Sequence, residues 1–188
     1  MKKIILALLL VLGANLTALR AQEVVPADDP RITYVGRTWV ENHEVSFDWT
    51  ATYIRFAFKG NQLALKVSDT HKNYYNVWID SPTSSEPHRI IEVAGNDTII
   101  ELIDPAYLKK SRRAVHEVIV QKRTEGEQGK TTIHEFATDP TGKFFQAKGL
   151  NERQLEFIGD SYTCGYGIDA PSRKDRFSPE TENASRSY

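Results

Sequence analysis

The sequence predicts a mainly β protein: an antiparallel β-sandwich of jelly-roll type, followed by the first strand and loop of an incomplete α/β domain. Apolar residues recur at every second position from about residue 31 to residue 145, which is the period of a strand with one buried face. Turn residues interrupt this pattern at short intervals, with no convincing amphipathic helix between them. From about residue 150 the pattern changes to a short apolar run that ends in a glycine turn.

Residues 1–21 are interpreted as a signal peptide. Two lysines precede an aliphatic run from Ile4 to Leu12, and small residues at Ala18 and Ala21 supply a cleavage region. The aliphatic run is too short to span a bilayer comfortably, which argues against a membrane anchor. The sequence therefore predicts a secreted or periplasmic protein that has no contact with a membrane once the signal is cleaved.

The charge balance and the cysteine content exclude several classes of protein. Lys and Arg number 24 and Asp and Glu number 25, so the formal net charge is -1, whereas a nucleic-acid-binding protein normally shows a basic stripe. Apolar residues make up 40% of the chain, which is enough for a packed core and too many for a disordered chain. Cys164 is the single cysteine, so no internal disulfide can hold the fold.

Residues 30–148 are assigned to the sandwich, with seven or eight short strands. The strands on either side of Gly60-Asn61 are expected to form an antiparallel hairpin. Six side chains next to this turn are predicted to face inward: Ile54, Phe56, Phe58, Leu63, Leu65 and Val67. Further strands are expected at residues 75–79, 91–93, 99–103 and 116–121, with breaks at residues 80–82 and 94–97 and a last alternation at Thr132, His134 and Phe136.

Residues 149–188 are assigned to the start of a second domain. Leu155 to Ile158 reads as a short apolar strand that runs into a glycine turn, which is typical of the first strand of an α/β domain. Residues 169–179 are polar and loop-like, and Glu182 to Ser185 could open a helix. About 35 residues cannot bury a core of their own. The segment after Lys148 is therefore expected to be cut short and poorly packed.

Gly159-Asp160-Ser161 is the candidate catalytic site. A serine on a tight turn after a strand exposes its hydroxyl as a nucleophile, and its backbone N–H can help to bind an oxyanion. Gly159 permits the sharp turn and the approach of substrate. The nucleophile elbow G-x-S-x-G is absent, which excludes that class of hydrolase. The tripeptide by itself is weak evidence, and the competing interpretation is a serine that only caps a helix.

The surrounding sequence is more specific than the tripeptide. The run LEFIGDSYTCGYG at residues 155–167 resembles the first block of the GDSL, or SGNH, hydrolases. Together with FSPETEN at residues 177–183 and Tyr188, it is similar to carbohydrate esterase family 2, the acetyl xylan esterase-like group. Upstream segments agree with this resemblance: residues 35–37, residues 73–77 with Asp80, and residues 116–125 with Gly129. The resemblance implies a jelly-roll domain before an SGNH hydrolase domain of α/β/α type.

The resemblance further implies a serine esterase that removes O-acetyl groups from plant polysaccharides such as xylan or glucomannan. Ser161 matches the nucleophile and its amide the first oxyanion donor, while Gly159 and Asp160 match the supporting turn. The general-base histidine and the remaining oxyanion donors, a glycine and an asparagine, match no segment of this chain. The chain is therefore expected to be an N-terminal fragment that is inactive alone. The expected partner is an acetylated polysaccharide or oligosaccharide, and no cofactor is expected. The alternative is a non-catalytic carbohydrate-binding sandwich.

Other residues with reactive side chains are given structural roles. His116 and His134 are expected to be hydrogen-bonded sandwich residues rather than bases, and Cys164 is expected to be a packing residue rather than a nucleophile. No metal is predicted, because the remaining histidines show no ligand spacing with cysteine or carboxylates: His43, His71 and His88.

Two clusters leave a functional and a structural interpretation open. Tyr74, Tyr75 and Trp78 could form a platform that stacks on sugars, but a contribution to the sandwich core is favoured. The run from Lys122 to Glu125 could form a functional ion-pair loop, but a solvated strand end is favoured.

Overall fold

The computed structural model describes residues 22–149 and 155–186. The predicted signal peptide lies outside the described residues. Within them, no helix is long and apolar enough to cross a membrane. The described residues form ten strands, one short α-helix and three 3₁₀ turns, so the predicted mainly β fold is confirmed.

The strands, in chain order, are β1 (Glu23–Pro26), β2 (Thr33–Val35), β3 (Trp39–Glu41), β4 (Glu44–Phe47), β5 (Tyr53–Lys59), β6 (Leu63–Ile79), β7 (Arg89–Glu101), β8 (His116–Lys122), β9 (Thr131–Thr138) and β10 (Lys143–Phe145). Helix α1 (Pro105–Lys110) lies between β7 and β8. Asp104 caps this helix by accepting a hydrogen bond from the N–H of Ala106, and Pro105 occupies the first turn, where its missing N–H costs nothing.

One antiparallel sheet curls over itself to make the two layers of the sandwich. Its order is β10-β5-β8-β6-β9-β4-β3, with β1 on β9, β2 on β5 and β7 on β6. Strand β6 is 17 residues long and belongs to both layers, because its first part pairs with β9 and its last part pairs with β8. The register of β6 against β7 shifts between Val67 and Lys72, and such irregularities bend a strand.

The core lies between the two layers and contains the predicted inward face. All six side chains predicted to face inward are at most 1% exposed, which confirms that prediction. The Phe56 ring is 5.0 Å from the Phe136 ring and 5.8 Å from the Phe144 ring, measured between centroids. A slip of one residue would move the whole apolar set to the surface, so the alternation defines the buried face of each strand.

The hairpin expected across Gly60-Asn61 is wrong. Strands β5 and β6 are not neighbours, because β8 lies between them in the sheet. The Gly60 turn carries the chain from one layer to the other, and a Cβ at Gly60 would collide with the hydroxyl of Thr138. Alternation identifies the buried face of a strand but not its partner, so both arrangements satisfy the same pattern.

Strands that were expected to be separate are continuous. Residues 63–67 and 75–79 are the two ends of β6, and the turn-like residues 94–97 lie inside β7. The irregularity around Asp69 breaks the alternation without breaking the ladder. The break at residues 80–82 is confirmed, because β6 ends at Ile79.

The alternation expected along β9 is correct only in part. Phe136 is buried, but the other buried positions of this strand are Thr131, Ile133 and Thr138 rather than Thr132 and His134. The register of β9 against β6 shifts next to Val67, and one extra residue at such a shift reverses which side chains face the core.

The chain beyond Lys148 has two parts with different structures. Residues 155–160 have no regular secondary structure and are exposed, with Ile158 at 90%. The expected strand at Leu155–Ile158 is not formed here, since a strand needs the backbone hydrogen bonds of a neighbour. Residues 161–186 form turns, and 3₁₀ turns at Pro179–Thr181 and Ala184–Arg186 stand where a helix could have opened. Around Asp169 and Glu182–Ala184 this second part packs against the sandwich, contrary to the poor packing expected for it, whereas residues 171–177 are exposed, in line with that expectation.

Candidate active site

Ser161 is half-buried at the start of a compact turn. The carboxylate of Asp160 accepts a hydrogen bond from the N–H of Tyr162 at 3.0 Å. The carbonyl of Asp160 accepts from the N–H of Cys164 at 3.2 Å, and the carbonyl of Ser161 accepts from the N–H of Tyr166 at 3.0 Å. These three bonds close residues 160–166 into one unit, which we call the Ser161 turn.

Gly159 immediately precedes the Ser161 turn and is closely packed against it. A Cβ at Gly159 would collide with the side chain of Thr163, so any larger residue would force the turn to move. Gly159 and Asp160 thus lie where support of the turn requires them, close to the candidate nucleophile.

The described histidines have their hydrogen bonds away from Ser161. His116 Nδ1 lies 2.6 Å from Asp80 Oδ2. His134 Nδ1 lies 2.7 Å from a Glu44 carboxylate oxygen, and its Nε2 lies 2.7 Å from the Ser68 hydroxyl. Both are therefore hydrogen-bonded sandwich residues, as expected. In the part of the chain that the structure describes, no histidine is hydrogen-bonded to Ser161.

Arg123 connects the sandwich to the segment that carries Ser161. It directly follows β8 and is only 3% exposed. Its guanidinium donates to Asn76 Oδ1 at 2.8 Å, to Asp169 Oδ2 at 2.9 Å and to the carbonyl of Glu182 at 3.1 Å. Its own carbonyl accepts from the N–H of Ala184 at 3.3 Å. One side chain of the sandwich thus holds two separate points of the later segment.

Asn183 continues this connection to the Ser161 turn. Its backbone N–H donates to the carbonyl of Gly165 at 3.1 Å. Its side-chain amide donates to Asp169 at 2.8 Å and accepts from Asn76 at 3.2 Å. Gly165 has φ +71° and lies so close to the Asn183 backbone that a Cβ there would collide with it. Glycine is therefore required at this position for both conformation and space.

The solvated strand end expected at Lys122 to Glu125 is wrong. The exposures of Lys122, Arg123 and Thr124 are 0%, 3% and 0%. Lys122 Nζ donates to the carbonyls of Thr124 at 2.8 Å and Glu125 at 2.7 Å, which satisfies the buried ammonium. Contacts with residues 161–186 bury part of this run. A local sequence pattern cannot predict burial by a segment that lies so far along the chain.

A cluster of three carboxylates lies beside Lys122. Glu182 is fully buried, and its carboxylate accepts from the N–H of Glu125 at 2.5 Å and from Gln128 Nε2 at 3.3 Å. Burial raises the pKa of Glu182 to about 7, and burial lowers the pKa of Lys122 to about 8. Oxygen atoms of Glu125, Glu127 and Glu182 lie within 4.8 Å of one another, a spacing that a divalent cation can use, but the cluster alone does not assign a metal.

Cys164 lies in the Ser161 turn and packs against the sandwich. Burial, followed by the carboxylate of Glu125, raises the pKa of its thiol to about 11. The thiolate is the reactive form of cysteine, so Cys164 stays an uncharged thiol near neutral pH. This environment agrees with the packing role expected for it.

The aromatic cluster of β6 forms no platform for sugars. Tyr75 and Trp78 are 2% and 1% exposed, which agrees with the core role that was favoured. Tyr74 is half-buried, and its hydroxyl oxygen lies 2.8 Å from a carboxylate oxygen of Glu92 and 2.9 Å from one of Glu180.

Two exposed tryptophans elsewhere line a groove that sequence reasoning missed. Trp39 is 70% exposed and Trp49 is 56% exposed, and both line a groove of about 230 Å³. The Arg37 guanidinium lies 4.8 Å from the centre of the Trp49 ring and pairs with Glu156 at 3.0 Å. The only available signal was the mixture of tryptophans and charged residues between residues 37 and 49.

Comparisons with known proteins agree on the class of the sandwich. The family described as "Carbohydrate esterase 2 N-terminal" matches residues 34–147. An "Acetylxylan esterase / glucomannan deacetylase" of Cellvibrio japonicus is 35% identical over 144 residues, covering 74% of this chain and 36% of that protein. The "Cellulase/esterase CelE" of Acetivibrio thermocellus is 26% identical over 162 residues, covering 86% of this chain and 19% of that protein.

Solved structures show the same fold. A family two carbohydrate esterase from Cellvibrio japonicus superposes with a TM-score of 0.76 at 23% identity, covering 89% of this chain and 47% of that one. One from Clostridium thermocellum in complex with cellohexaose gives a TM-score of 0.73 at 25% identity, covering 83% and 45%. The chain spans less than half the length of each of these relatives.

The family match takes in more than half of the 188 residues. It extends from β2 to just past β10, which is nearly the whole sandwich on which the Ser161 turn rests. The chain therefore belongs to carbohydrate esterase family 2, and its β-sandwich is the N-terminal domain of that family.

Proposed function

We propose that this chain carries the nucleophile of a secreted serine esterase that removes O-acetyl groups from plant polysaccharides such as xylan or glucomannan. Family membership supports a carbohydrate esterase, and two of the relatives are named acetylxylan esterase / glucomannan deacetylase. The observation that carries the proposal is the Ser161 turn itself, whose closed hydrogen bonds and preceding glycine hold a serine at the surface. The signal-like residues 1–21 support secretion.

In the proposed reaction Ser161 Oγ attacks the carbonyl carbon of an acetyl ester while a general base takes the hydroxyl proton. The backbone N–H of Ser161 donates a hydrogen bond to the oxyanion that forms. Collapse of this intermediate breaks the bond to the sugar oxygen, which leaves with the proton, and acetyl-Ser161 remains. Water then attacks the acetyl group, acetate leaves, and Ser161 recovers its proton.

The described residues supply the nucleophile and one oxyanion donor for this reaction. His116 and His134 are hydrogen-bonded within the sandwich, and an unactivated serine hydroxyl is a weak nucleophile near neutral pH. Loss of one oxyanion donor costs about 10²–10³ in rate where it has been measured. We therefore propose that the 188-residue chain alone releases little or no acetate, and that further residues complete the site.

The test measures acetate released from acetylated xylan and hydrolysis of 4-nitrophenyl acetate. It compares the 188-residue chain with the product of any reading frame that continues past Tyr188, each with a Ser161→Ala control. The longer product should be active and should lose about 10³-fold or more in kcat on Ser161→Ala. Full activity of that variant would contradict the nucleophile, and Ser161-dependent turnover by the shorter chain would contradict the need for further residues.

The downstream DNA provides a simpler first test. An open frame after Tyr188 that encodes Asp-x-x-His near its end supports the esterase. A stop codon directly after Tyr188 supports the second candidate function, a carbohydrate-binding sandwich without catalysis.

The groove between Trp39 and Trp49 is the observation that favours this second candidate. Exposed indole rings offer flat apolar faces with a polar edge, and charged residues such as Asp48 and Lys130 also line this groove. Trp39→Ala should then lower the affinity for xylo- or cello-oligosaccharides about tenfold or more, measured by calorimetry. Tyr107→Ala, which removes an exposed aromatic of α1, is the matched control. Unchanged binding by the Trp39 variant would exclude the groove as the sugar site.

A further inference from the structure

We propose that Arg123 is a positioning residue for Ser161: its guanidinium fixes the segment from Gly165 to Ala184 against the sandwich and thereby sets the geometry of the Ser161 turn. The part of this inference that concerns reaction rate rests on the proposed function. The part that concerns docking of the segment does not, and each part has its own measurement.

The Arg123 guanidinium donates its hydrogen bonds in fixed directions. Each of its three nitrogen atoms donates to a different acceptor: Asn76 of β6, Asp169 and the Glu182 backbone. Because the guanidinium is planar and its N–H directions are fixed, all three bonds form only when the three acceptors have one particular arrangement. The bonds therefore specify one arrangement of the segment, whereas apolar contacts would allow it to slide.

The buried charge of Arg123 is costly unless a partner compensates it. Arg123 is 3% exposed, and the Asp169 carboxylate at 2.9 Å compensates its charge. Arg186 lies 3.3 Å from the other oxygen of Asp169. Removing one partner of a buried pair leaves an uncompensated charge, which is strongly unfavourable. Undocking of the segment would leave the Arg123 charge without its partner, so burial of Arg123 stabilises the docked state.

A continuous series of contacts leads from Arg123 to Ser161. Asp169 accepts from both Arg123 and Asn183. Asn183 donates its N–H to Gly165, which lies inside the Ser161 turn with no space for a Cβ. The N–H of the next residue, Tyr166, bonds the carbonyl of Ser161. A shift of the segment would therefore move the turn.

A misplaced nucleophile is costly, because a displacement of about 1 Å can lower a rate about 10²-fold. The guanidinium of Arg123 bonds Asn76, Asp169 and the Glu182 carbonyl, so its role runs through residues other than Ser161. The sandwich would then be a structural part of the active site, which explains why a charged strand end is buried beneath the segment that carries Ser161.

The experiment compares Arg123→Met with Arg31→Met as a matched control. Arg31 also belongs to the sandwich, and its guanidinium donates to Asp29, Glu23 and the carbonyl of Phe144. The Arg31→Met variant therefore loses a similar set of hydrogen bonds, but all of these bonds lie within the sandwich. Both variants remove the charge and keep much of the apolar stem.

The first measurement is amide hydrogen exchange in the 188-residue chain. Arg123→Met should speed exchange of the Tyr166 and Asn183 amides about tenfold or more and leave the amides of β8 unchanged. Arg31→Met should leave Tyr166 and Asn183 unchanged. Unchanged exchange at Tyr166 and Asn183 in Arg123→Met would overturn the docking role, whether or not the protein is an esterase.

The second measurement uses the longest product of the reading frame that shows esterase activity, with an organophosphonate ester that labels reactive serines. The final amount of label counts folded sites, while the rate constant of labelling reports the geometry of Ser161. Arg123→Met should lower this rate constant and kcat about 10²-fold, with KM changed less than about twofold, because Arg123 does not contact substrate. Arg31→Met should change only the final amount of label.

Arg123→Lys keeps the charge but cannot reach three acceptors at once, so it should lie between the wild type and Arg123→Met in labelling rate. This variant also replaces Arg123→Met if the latter does not fold. A wild-type labelling rate in Arg123→Lys together with faster exchange at Tyr166 would overturn the positioning role. Retained activity in Ser161→Ala would overturn the proposed function while leaving the exchange result intact.

Discussion

The β-sandwich holds together by burying apolar side chains, whereas residues 161–186 are held on it mainly by hydrogen bonds to buried polar groups. The rings of Phe56 and Phe136 represent the first kind of contact, and the bonds of Arg123 to Asp169 and Asn76 represent the second. Apolar burial is strong but non-directional, while a satisfied polar network specifies one geometry. The difference indicates that the sandwich supplies stability and that its polar edge supplies precision to the segment that carries Ser161.

The largest expected effect separates the sandwich from the exposed residues that precede the Ser161 turn, with the same substitution in both. Ile54 is 0% exposed in the sandwich, and Ile158 is 90% exposed before the Ser161 turn. Ile54→Ala should lower the free energy of unfolding by about 2–5 kcal/mol, because it removes buried methyl groups and leaves a cavity. Ile158→Ala should change it by less than about 0.5 kcal/mol. Urea titration followed by circular dichroism measures both, and equal costs would contradict the contrast between the regions.

A smaller effect distinguishes two glycines of the later segment. Gly165 and Gly167 have φ +71° and +67°, but only Gly165 lies against the Asn183 backbone. Gly167→Ala should cost about 1 kcal/mol, the usual strain of a left-handed conformation in a residue with a Cβ. Gly165→Ala should cost that strain and also displace the turn from Asn183.

The two glycine variants are compared by hydrogen exchange at Asn183 and in β8. Gly165→Ala should speed exchange at Asn183 much more than Gly167→Ala does, and neither should affect β8. Equal exchange at Asn183 in the two variants would show that the close approach of Gly165 contributes nothing to docking.

The smallest effect is a pH dependence of docking through Glu182. Burial raises the pKa of Glu182 to about 7 from an ordinary value of 4.5. The folded state therefore binds more protons than the unfolded state between these values, so docking weakens as pH rises from about 4.5 to about 7. The groups that face this carboxyl are Glu125, Glu127 and Lys122. The hydrogen bond from the Glu125 N–H and the charge of Lys122 oppose burial, whereas the carboxylates of Glu125 and Glu127 act in the same direction as burial.

Glu182→Gln removes this titration and should flatten the pH dependence. Above pH 7 the variant should exchange the Asn183 amide more slowly than the wild type, because an uncharged amide does not carry the cost of a buried carboxylate. Exchange rates corrected for their intrinsic pH dependence measure this difference at pH 5 and pH 8. An unchanged pH slope in Glu182→Gln would assign the dependence to other groups.

The sequence predicts the buried faces of the sandwich well, because a half-buried strand repeats every two residues. Leu63, Leu65 and Val67 are buried as that period requires. The alternation does not specify which strands pair, so it predicts a hairpin at Gly60, where the chain instead passes from one layer to the other. The continuous β6 was also divided, because the irregularity near Asp69 interrupts the alternation while the ladder of hydrogen bonds continues.

Only the part of the candidate site that is contiguous in sequence can be predicted from the sequence. The Ser161 turn lies within a contiguous run of residues, and the resemblance of that run to a known hydrolase block identifies it. Arg123 and Lys122 read as a solvated strand end, because the acceptors that bury Arg123 lie as far away as Asp169 and Glu182. Contacts between positions so distant along the chain leave no local pattern in a single sequence.

The proposal that Ser161 is the nucleophile is tested most directly by locating the covalent intermediate. The esterase product of this reading frame is treated with an organophosphonate ester, digested and mapped by mass spectrometry. One phosphonyl group per chain is expected on the peptide that contains Ser161, with loss of esterase activity in proportion to labelling. A phosphonyl group on another residue, or complete inactivation with Ser161 unmodified, would contradict the account.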